Sequence, residues 1–285
     1  MSPDMRIGVV AFGTTLDDRG FRDFSSQLRT LRASAEAHGV DFLNYTFSDL
    51  RKEISGTPFQ DFPKFKKGVG AWFWKPIAVD HFLKLNSYDY LIYLDADCQL
   101  HSNPEQVIKS LPKDFEIAGF KINSTIGEWT LPRVLKRLSA GEFGNYPMFT
   151  AGILIVKNSE LAREYLGVWR DAMNDPRVLM ELPFERNSRI HRHDQSVLSI
   201  LVAKKRIIIE PMGSGFFSSG IESTQSDLKG AWVSTGSITN DQSVKNKRLT
   251  ITRIWKAGTV RLAPGRDLIF WASFYSALLK KFLCK

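Results

Sequence analysis

The sequence predicts an α/β fold: a mainly parallel, twisted sheet of the Rossmann-like kind with helices on both faces. Short apolar runs alternate with longer segments of helical periodicity over roughly the first 210 residues, as in chains that build such sheets. One of these runs, 91–97, ends in two carboxylates, and open α/β sheets place their ligand crevices at the carboxyl ends of strands. With 43% hydrophobic and 24% charged residues, the 285-residue chain can form one large α/β domain or two small ones.

The elements follow from local pattern and from helix start and stop signals. Apolar runs bounded by polar residues predict strands at 5–12, 40–46, 91–97, 116–121, 151–156 and 206–210. Helical periodicity predicts helices at 21–37, 76–85, from 103, at 159–173 and at 193–203. Pro76 suits the first turn of its helix. The segment 56–65, which contains Pro58 and Pro63, is expected to be a loop, and the Gly- and Ser-rich segment 211–236 a long loop or lid.

The strand 91–97 reads Leu-Ile-Tyr-Leu-Asp-Ala-Asp, and its two acids carry the strongest chemical signal. Asp95 and Asp97 repel each other unless a cation neutralises them, and Mg²⁺ and Mn²⁺ prefer oxygen ligands that they share with substrate phosphates. The pattern therefore predicts a metal–diphosphate site. The alternative is a strand-end turn in which an Asp caps the following backbone.

A second motif, Lys-Lys-Gly-Val-Gly-Ala-Trp-Phe-Trp-Lys-Pro, lies upstream at 66–76. Together the two motifs resemble those of the GT-A glycosyltransferases, metal-dependent enzymes that transfer a sugar from a nucleoside diphosphate. The likeness is greatest to bacterial surface-polysaccharide and lipopolysaccharide transferases with a Trp-X-Trp-Lys-Pro element. It extends more distantly to the α-retaining lipooligosaccharide galactosyltransferases, and it covers roughly residues 5 to 210.

This resemblance implies a set of donor-binding and metal-binding residues. Asp97 would bind Mn²⁺ or Mg²⁺, and Asp95 would be shared between that metal and the donor ribose. The implied donor-binding residues are Phe12, Thr14, Trp74, Lys75, Asp95, Ala96, Thr150, Ala151, Gly152 and His193. The charge of Lys75 opposes the dipole of the helix it opens unless an anion lies nearby, although the side chain could instead extend into solvent. Trp72 and Trp74 fit core packing as well as a site.

Two further segments strengthen the resemblance. Phe149-Thr150-Ala151-Gly152 is similar to an Asn-Ala-Gly turn of the retaining enzymes, with Thr150 in place of the Asn. Its small residues would let the backbone approach the donor sugar, unless Gly152 serves strand packing alone. Asp194 and Gln195 match a helix start of the same family and are the implied catalytic residues. Asp194 would accept hydrogen bonds from sugar hydroxyls and Gln195 would lie near the anomeric carbon, whereas an ordinary N-cap is the alternative for Asp194.

Two mechanistic points stay open at this stage. No His follows His193, so the third metal ligand would be a Ser, Asn or Asp within 211–246, or water. The Asp194-Gln195 match favours retention of anomeric configuration. Inversion would require a general base, for which Glu128, Glu142 and Asp194 are the candidates.

The net charge of +9 is confined to the C-terminal part of the chain. Residues 245–285 hold ten basic residues and one acid, so residues 1–244 are balanced. We therefore divide the chain into a GT-A domain, 1–244, and a basic tail, 245–285. Apolar residues from Phe270 to Leu283 follow a helical period, which predicts an amphipathic helix that docks on an anionic membrane. Packing on the sheet or on a second subunit is the alternative.

We expect a cytoplasmic protein, peripheral on the inner face of the cell membrane. The chain has two Cys residues, no signal-peptide pattern, and no run of the roughly 18 apolar residues that a membrane span requires. Its predicted activity is transfer of a hexose from a nucleotide sugar, with UDP-sugar favoured, to a glycan or lipid-linked acceptor.

Two other functions were weighed against this one. A sugar nucleotidyltransferase would need a Gly-rich basic loop after the first strand, which Gly13-Thr14-Thr15 does not resemble. A nucleic-acid-binding protein would spread its basic charge over the folded body, so no nucleic-acid partner is expected.

Overall fold

A six-stranded sheet forms the centre of the protein in the computed structural model. The structure describes residues 5–212, except 19, 66, 86, 183–184 and 186–190, together with the backbone of two later strands. The strands are β1 Ile7–Phe12, β2 Asp41–Tyr45, β3 Tyr90–Leu94, β4 Cys98–Leu100, β5 Ile117–Thr125, β6 Pro147–Lys157, β7 Glu210–Pro211, β8 Phe217–Ser219 and β9 Val233–Thr235. Strands β4, β9 and β8 form a separate small sheet in that order.

Helices cover both faces of the large sheet. They are α1 Ser25–Ala37, α2 Phe47–Ile54, α3 Gly68–Ala71, α4 Lys75–Leu85, α5 Glu105–Ser110, α6 Pro132–Arg137, α7 Glu160–Ala172, α8 Pro176–Leu179 and α9 His193–Ala203, with 3₁₀ turns at Phe62–Lys64 and Gly141–Phe143. Neighbouring strand residues face opposite cores: Val10 packs with α4, α7 and α9, whereas Val9 packs with α1 and α5. Successive side chains of a strand point to opposite faces, so this alternation shows a sheet buried on both sides.

The strand order determines where the polar strand ends meet. The order is β2-β1-β3-β6-β5-β7, and β6 is antiparallel to both of its neighbours while the other pairs are parallel. Five of the six strands therefore point the same way. The carboxyl ends of β1, β3 and β5 lie at one edge of the sheet together with the amino end of β6. Residues that follow β3 are thus brought beside Thr150 to Gly152, which lie near the start of β6.

The predicted fold class is confirmed, with several local corrections. The strand predicted at 91–97 ends at Leu94, so Asp95 and Asp97 follow it. Helix α2 was not predicted; its start is closed by a capping box, in which Thr46 Oγ1 accepts from the backbone N–H of Asp49 (3.1 Å) while Asp49 Oδ2 accepts from that of Thr46 (2.9 Å). The predicted strand 206–210 is wrong over most of its length. Ile208 is 64% exposed, so this apolar run does not enter the sheet, and only Glu210–Pro211 pairs with β5.

The remaining predictions at this level concern the C-terminal part of the chain. Within the described residues no helix is long and apolar enough to span a bilayer. The basic tail, its amphipathic helix and most of the segment 211–246 proposed for a third metal ligand lie outside those residues.

Candidate functional site

The site is built where β3 ends beside the start of β6. The backbone N–H of Asp95 donates to the carbonyl of Gly152 (2.9 Å), and the N–H of Cys98 donates back to the carbonyl of Asp95 (2.9 Å). The resulting turn carries Asp97. A Cβ at Gly152 would lie 2.6 Å from Asp95 Oδ2, so glycine is required there for Asp95 to keep its position. The sequence predicts that the small residue at Gly152 lets a donor sugar approach the backbone. In the structure, the group that lies close to Gly152 is the carboxylate of Asp95.

A buried lysine links this turn to the start of α9. Lys75 Nζ lies 3.0 Å from Asp194 Oδ2 and 3.1 Å from Asp95 Oδ1, and it donates to the carbonyl of Ala151 (3.2 Å). Lys75 and Asp194 are each 4% exposed. The contact with Asp194 is a close ion pair without the alignment of a directed hydrogen bond. The three residues are separated by 20 to 119 positions in the sequence. They form one charged cluster only because the fold brings α4, β3 and α9 together.

Burial and mutual charge determine the protonation of this cluster. Burial, with the charge of Asp95, raises the pKa of Asp194 to about 6 against the opposing effect of Lys75. Burial alone would lower the pKa of Lys75, but Asp194 and Asp95 outweigh it and hold that pKa above its ordinary value. Lys75 is therefore a permanent cation. The cluster carries a buried positive charge between two carboxylates, one of which titrates near neutrality.

Tyr93 is a member of this cluster that the sequence analysis did not identify. Its hydroxyl donates to Asp95 Oδ1 (2.6 Å). Burial and the nearby Asp95 raise the pKa of Tyr93 well above its usual range, so the hydroxyl keeps its proton and acts as a donor. The signal was available in the sequence, because residues two apart on a strand face the same side.

Asp97 differs from Asp95 in being exposed. Although part of its surface is exposed, desolvation by surrounding atoms and then repulsion from Asp95 raise the pKa of Asp97 above its ordinary value. Among the described residues, no group of three or more His, Cys, Asp or Glu side chains is arranged to hold a metal ion. Two carboxylates suffice for Mg²⁺ or Mn²⁺ when phosphate oxygens and water complete the shell. Asp97 and Asp95 therefore fit such an ion.

The Trp-Lys-Pro element has an unusual backbone and a buried lysine. Residues 68–72 all have positive φ, and the indole N–H of Trp74 donates to the carbonyl of Gly68 (3.0 Å), which closes this left-handed turn. The ring of Trp74 packs 4.1 Å from that of Phe12 and is buried. Trp74 and Phe12 therefore form the wall beneath the site. Lys75 is not extended into solvent: the anions that offset its charge at the helix start are Asp95 and Asp194.

The other predicted donor residues lie around this cluster with separate local roles. Thr14 is buried and donates to the carbonyl of Arg22, which closes the loop after β1. Thr150 Oγ1 accepts from the N–H of Gly152 (3.2 Å), so the Thr that replaces Asn closes the turn. Ala96 is buried in the turn between the two acids, and Gln195 is partly exposed on the first turn of α9.

His193 lies deeper than predicted. It is buried at the start of α9, its Nδ1 lies 2.9 Å from the carbonyl oxygen of Leu179, and its ring packs on Trp72. Burial, with the charge of Lys67, lowers the pKa of His193 well below its usual range, so the ring is neutral. His193 joins the start of α9 to the end of α8. The structure places its ring behind Trp72.

Comparison with known proteins gives a fold and no closer relative. No family model matches the chain, and no curated protein matches its sequence. Among solved structures, the apo structure of WbbM, a bifunctional glycosyltransferase, has a TM-score of 0.50 and 11% identity over 85% of this chain and 47% of WbbM. Mouse xyloside xylosyltransferase 1 in its apo form has a TM-score of 0.47 and 11% identity over 82% of this chain and 98% of that enzyme.

The likeness to WbbM bears on the fold alone, because the identity is low. This chain spans about half the length of WbbM. The six-stranded sheet, its flanking helices and the similarity to WbbM together show a mixed α/β fold of the GT-A glycosyltransferase type.

Proposed function

We propose that the protein is a metal-dependent glycosyltransferase that moves a hexose from a nucleoside diphosphate sugar, with UDP-sugar favoured, to a glycan or lipid-linked acceptor. The observation that carries this proposal is the buried pair of Lys75 and Asp194 in contact with the partly exposed Asp95, beside the exposed Asp97. Burying a lysine with a carboxylate is costly, and such arrangements are concentrated at functional sites. The cluster lies at the sheet edge where open α/β folds bind ligands.

Each residue of the cluster has a part in this proposal. Lys75 holds Asp95 and Asp194 on either side of one ammonium group and thereby fixes the floor on which the donor sugar rests. Asp194, ionised above about pH 6, accepts hydrogen bonds from sugar hydroxyls. Gln195, next along α9 and partly exposed, faces the reacting carbon. Ala151 and Gly152 allow the sugar to approach the backbone.

The metal ion is proposed to be Mn²⁺ or Mg²⁺, held by Asp97 and, through its free lone pairs, by Asp95. When bound, it neutralises the diphosphate leaving group. Asp95 Oδ1 already meets Tyr93 and Lys75, so Asp97 supplies the greater part of the protein's charge to the ion. In the proposal, a Ser, Asn or Asp within 211–246, or water, completes the metal shell.

Retention of anomeric configuration is the proposed stereochemical course. The leaving phosphate oxygen then takes the proton of the acceptor hydroxyl on the same face, so no side-chain base is required. Asp194 supports this course, because its carboxylate is buried against Lys75 and is thus held for binding. Inversion would require a base exposed to the acceptor, and Glu128, an exposed residue, already accepts a hydrogen bond from the backbone of Thr125 (2.6 Å).

The cellular location is proposed from the basic charge of the tail. Residues 245–285 would dock on an anionic membrane surface, which places the enzyme in the cytoplasm, peripheral on the inner face of the cell membrane, in reach of lipid-linked acceptors of lipopolysaccharide or a related surface polysaccharide.

A thermal-shift panel tests the proposed activity. Nucleoside diphosphates and UDP- and GDP-sugars are added with and without Mn²⁺, because a ligand that binds the native state raises its melting temperature. We expect stabilisation by one nucleotide in the presence of Mn²⁺, and its loss in Asp97→Ala. Stabilisation that is the same in Asp97→Ala would remove the metal role of Asp97, and no stabilisation across the panel would overturn the proposed activity.

A further inference from the structure

We propose that Trp72 is a binding platform for the acceptor, on which one pyranose ring of the acceptor glycan stacks. This inference rests on the proposed glycosyl transfer and names a residue and a substrate class for its second substrate. It is carried by the backbone of residues 68–72, by the partial exposure of the indole, and by the position of that ring beside the start of α9.

The first observation is the strain that holds Trp72 in place. Three L residues of the left-handed turn have positive φ: Val69 at 51°, Ala71 at 58° and Trp72 at 63°. Left-handed backbone is costly for an L residue, and for a bulky side chain it is a rare outlier. Gly68 makes the turn possible, because a Cβ there would lie 2.4 Å from the indole of Trp72. The indole of Trp72 thus occupies the space that a side chain at position 68 would fill.

The second observation is that burial does not account for this strain. The two aromatic residues that follow are buried, Phe73 fully and Trp74 at 4% exposure. Trp72 stays partly exposed although it has the strained backbone. Strained conformations persist where the surrounding structure over-determines them, and they concentrate at ligand-binding positions. The ring packs against the core with part of its surface and leaves the rest exposed, where a ligand can cover it.

The third observation is the location of the ring. The indole of Trp72 lies 5.4 Å from the ring of His193, which immediately precedes Asp194, and Trp72 is three residues before Lys75. His193 in turn contacts α8 through the carbonyl of Leu179. Trp72 thus lies on the α8–α9 side of the charged cluster, whereas Asp97 follows β3 and feels the charge of Arg22 in the loop after β1. With the diphosphate assigned to the Asp97 side and the donor sugar to the floor of the cluster, the exposed part of Trp72 is left for the acceptor.

The chemistry around Trp72 fits a sugar ring without net charge. A pyranose has an apolar C–H face and a rim of hydroxyls, and an indole offers a large flat apolar surface to such a face. Lys67 and Glu181 form an ion pair at 3.2 Å beside this region, with Lys67 the more exposed partner. The pair has no net charge, and it offers donors and acceptors to hydroxyls. An anionic sugar would gain nothing from a lysine that is already neutralised.

Saturation-transfer NMR tests the platform with a panel of methyl pyranosides and disaccharides added to the full chain with UDP and Mn²⁺. Trp72→Gly is the main variant, because Gly accepts the φ of 63° and removes the ring without adding strain. Trp72→Phe keeps a smaller ring. Tyr90→Ala is the matched control: this partly buried ring stacks on Phe115 (5.6 Å) at the opposite edge of the sheet.

We expect a pyranose signal in the wild type that weakens in Trp72→Gly by about tenfold or more in affinity, is partly kept in Trp72→Phe, and is unchanged in Tyr90→Ala. Because Trp72 also packs against the core, the melting temperature of Trp72→Gly should fall by no more than that of Tyr90→Ala, which likewise removes a partly buried ring. A much larger fall would assign Trp72 to packing and overturn the platform. An unchanged pyranose affinity in Trp72→Gly, or no pyranose signal in the wild type, overturns the platform. Stabilisation by UDP and Mn²⁺ is measured on the same samples. Its absence in the wild type counts against the glycosyltransferase proposal itself. Its persistence in Trp72→Gly shows that the donor site is intact, so a lost pyranose signal in that variant reports on the platform alone.

Discussion

Replacing Lys75 by methionine would remove the ammonium group between Asp95 and Asp194 while keeping a side chain of similar length. Three acceptors lose their donor or counter-ion: both carboxylates and the carbonyl of Ala151. Breaking a buried ion pair by removing one partner costs about 3–5 kcal/mol, because the remaining charge is uncompensated. Against a total stability of about 5–15 kcal/mol for a typical domain, the Lys75→Met protein should fold with a markedly lower urea midpoint.

The measurement is urea unfolding of the wild type and three variants at two pH values. Lys84→Met is the matched control: Lys84 lies on the same helix, is 62% exposed and pairs with Asp80 at 2.6 Å, so its loss should cost less than about 1 kcal/mol. Lys75→Met/Asp194→Asn removes the stranded charge as well and should recover part of the loss.

The loss of stability in Lys75→Met should depend on pH, and the pKa of Asp194 determines the direction of that dependence. The pKa of Asp194 is about 6 beside Lys75 and rises further when that cation is removed. A carboxyl whose pKa is raised on folding makes stability fall as pH rises through the window between its unfolded and folded pKa values. The cost of Lys75→Met should therefore be smaller near about pH 5 than near about pH 7.5. Equal stability of Lys75→Met and Lys84→Met near neutral pH would refute the reasoning.

Four further predictions follow from the same geometry. Gly152→Ala should destabilise by about 1–3 kcal/mol and abolish nucleotide-dependent stabilisation, whereas Gly167→Ala, whose Cβ meets nothing nearer than 3.9 Å, should be neutral or slightly stabilising in the same melting assay. Asp97→Asn should change the free energy of unfolding by less than about 0.5 kcal/mol yet lose Mn²⁺-dependent nucleotide binding in calorimetry; a loss of stability instead would make its role structural. Tyr93→Phe, which removes a 2.6 Å hydrogen bond, should cost about 1–3 kcal/mol in urea unfolding, and a neutral effect would contradict its assigned role. Truncation at about residue 264 should abolish sedimentation with anionic vesicles while leaving nucleotide binding intact, and retained sedimentation would exclude the tail helix as the anchor.

The sequence predicted the sheet well because its strands are strong local patterns. The runs that became β1, β3 and β6 are continuous and apolar, which is typical of strands buried on both faces. The run 206–210 has a similar local composition, but only Glu210–Pro211 pairs with β5, because a local pattern carries no information on which partner a strand will meet. Helix α2 was missed because its eight residues form a short period, with only the capping box at Thr46 to indicate its start.

The sequence identifies the candidate site residues one by one but not as a cluster. Asp95, Lys75 and Asp194 were each identified from a separate motif, yet their meeting around one buried ammonium depends on the packing of α4 and α9 against the sheet. Periodicity within one segment carries no information on such contacts. For the same reason Tyr93 was overlooked, and the buried position of His193 behind Trp72 was not foreseen.

The most direct test of the proposed donor site is isothermal titration of UDP into the full-length protein with Mn²⁺ and with EDTA, for the wild type and Asp97→Asn. The account predicts one binding site per chain in the wild type with Mn²⁺, and an affinity lower by about tenfold or more both with EDTA and in Asp97→Asn. Binding of equal affinity in all conditions, or no binding of UDP or of any other nucleoside diphosphate with Mn²⁺, would contradict the assignment of this carboxylate pair to a metal–diphosphate site.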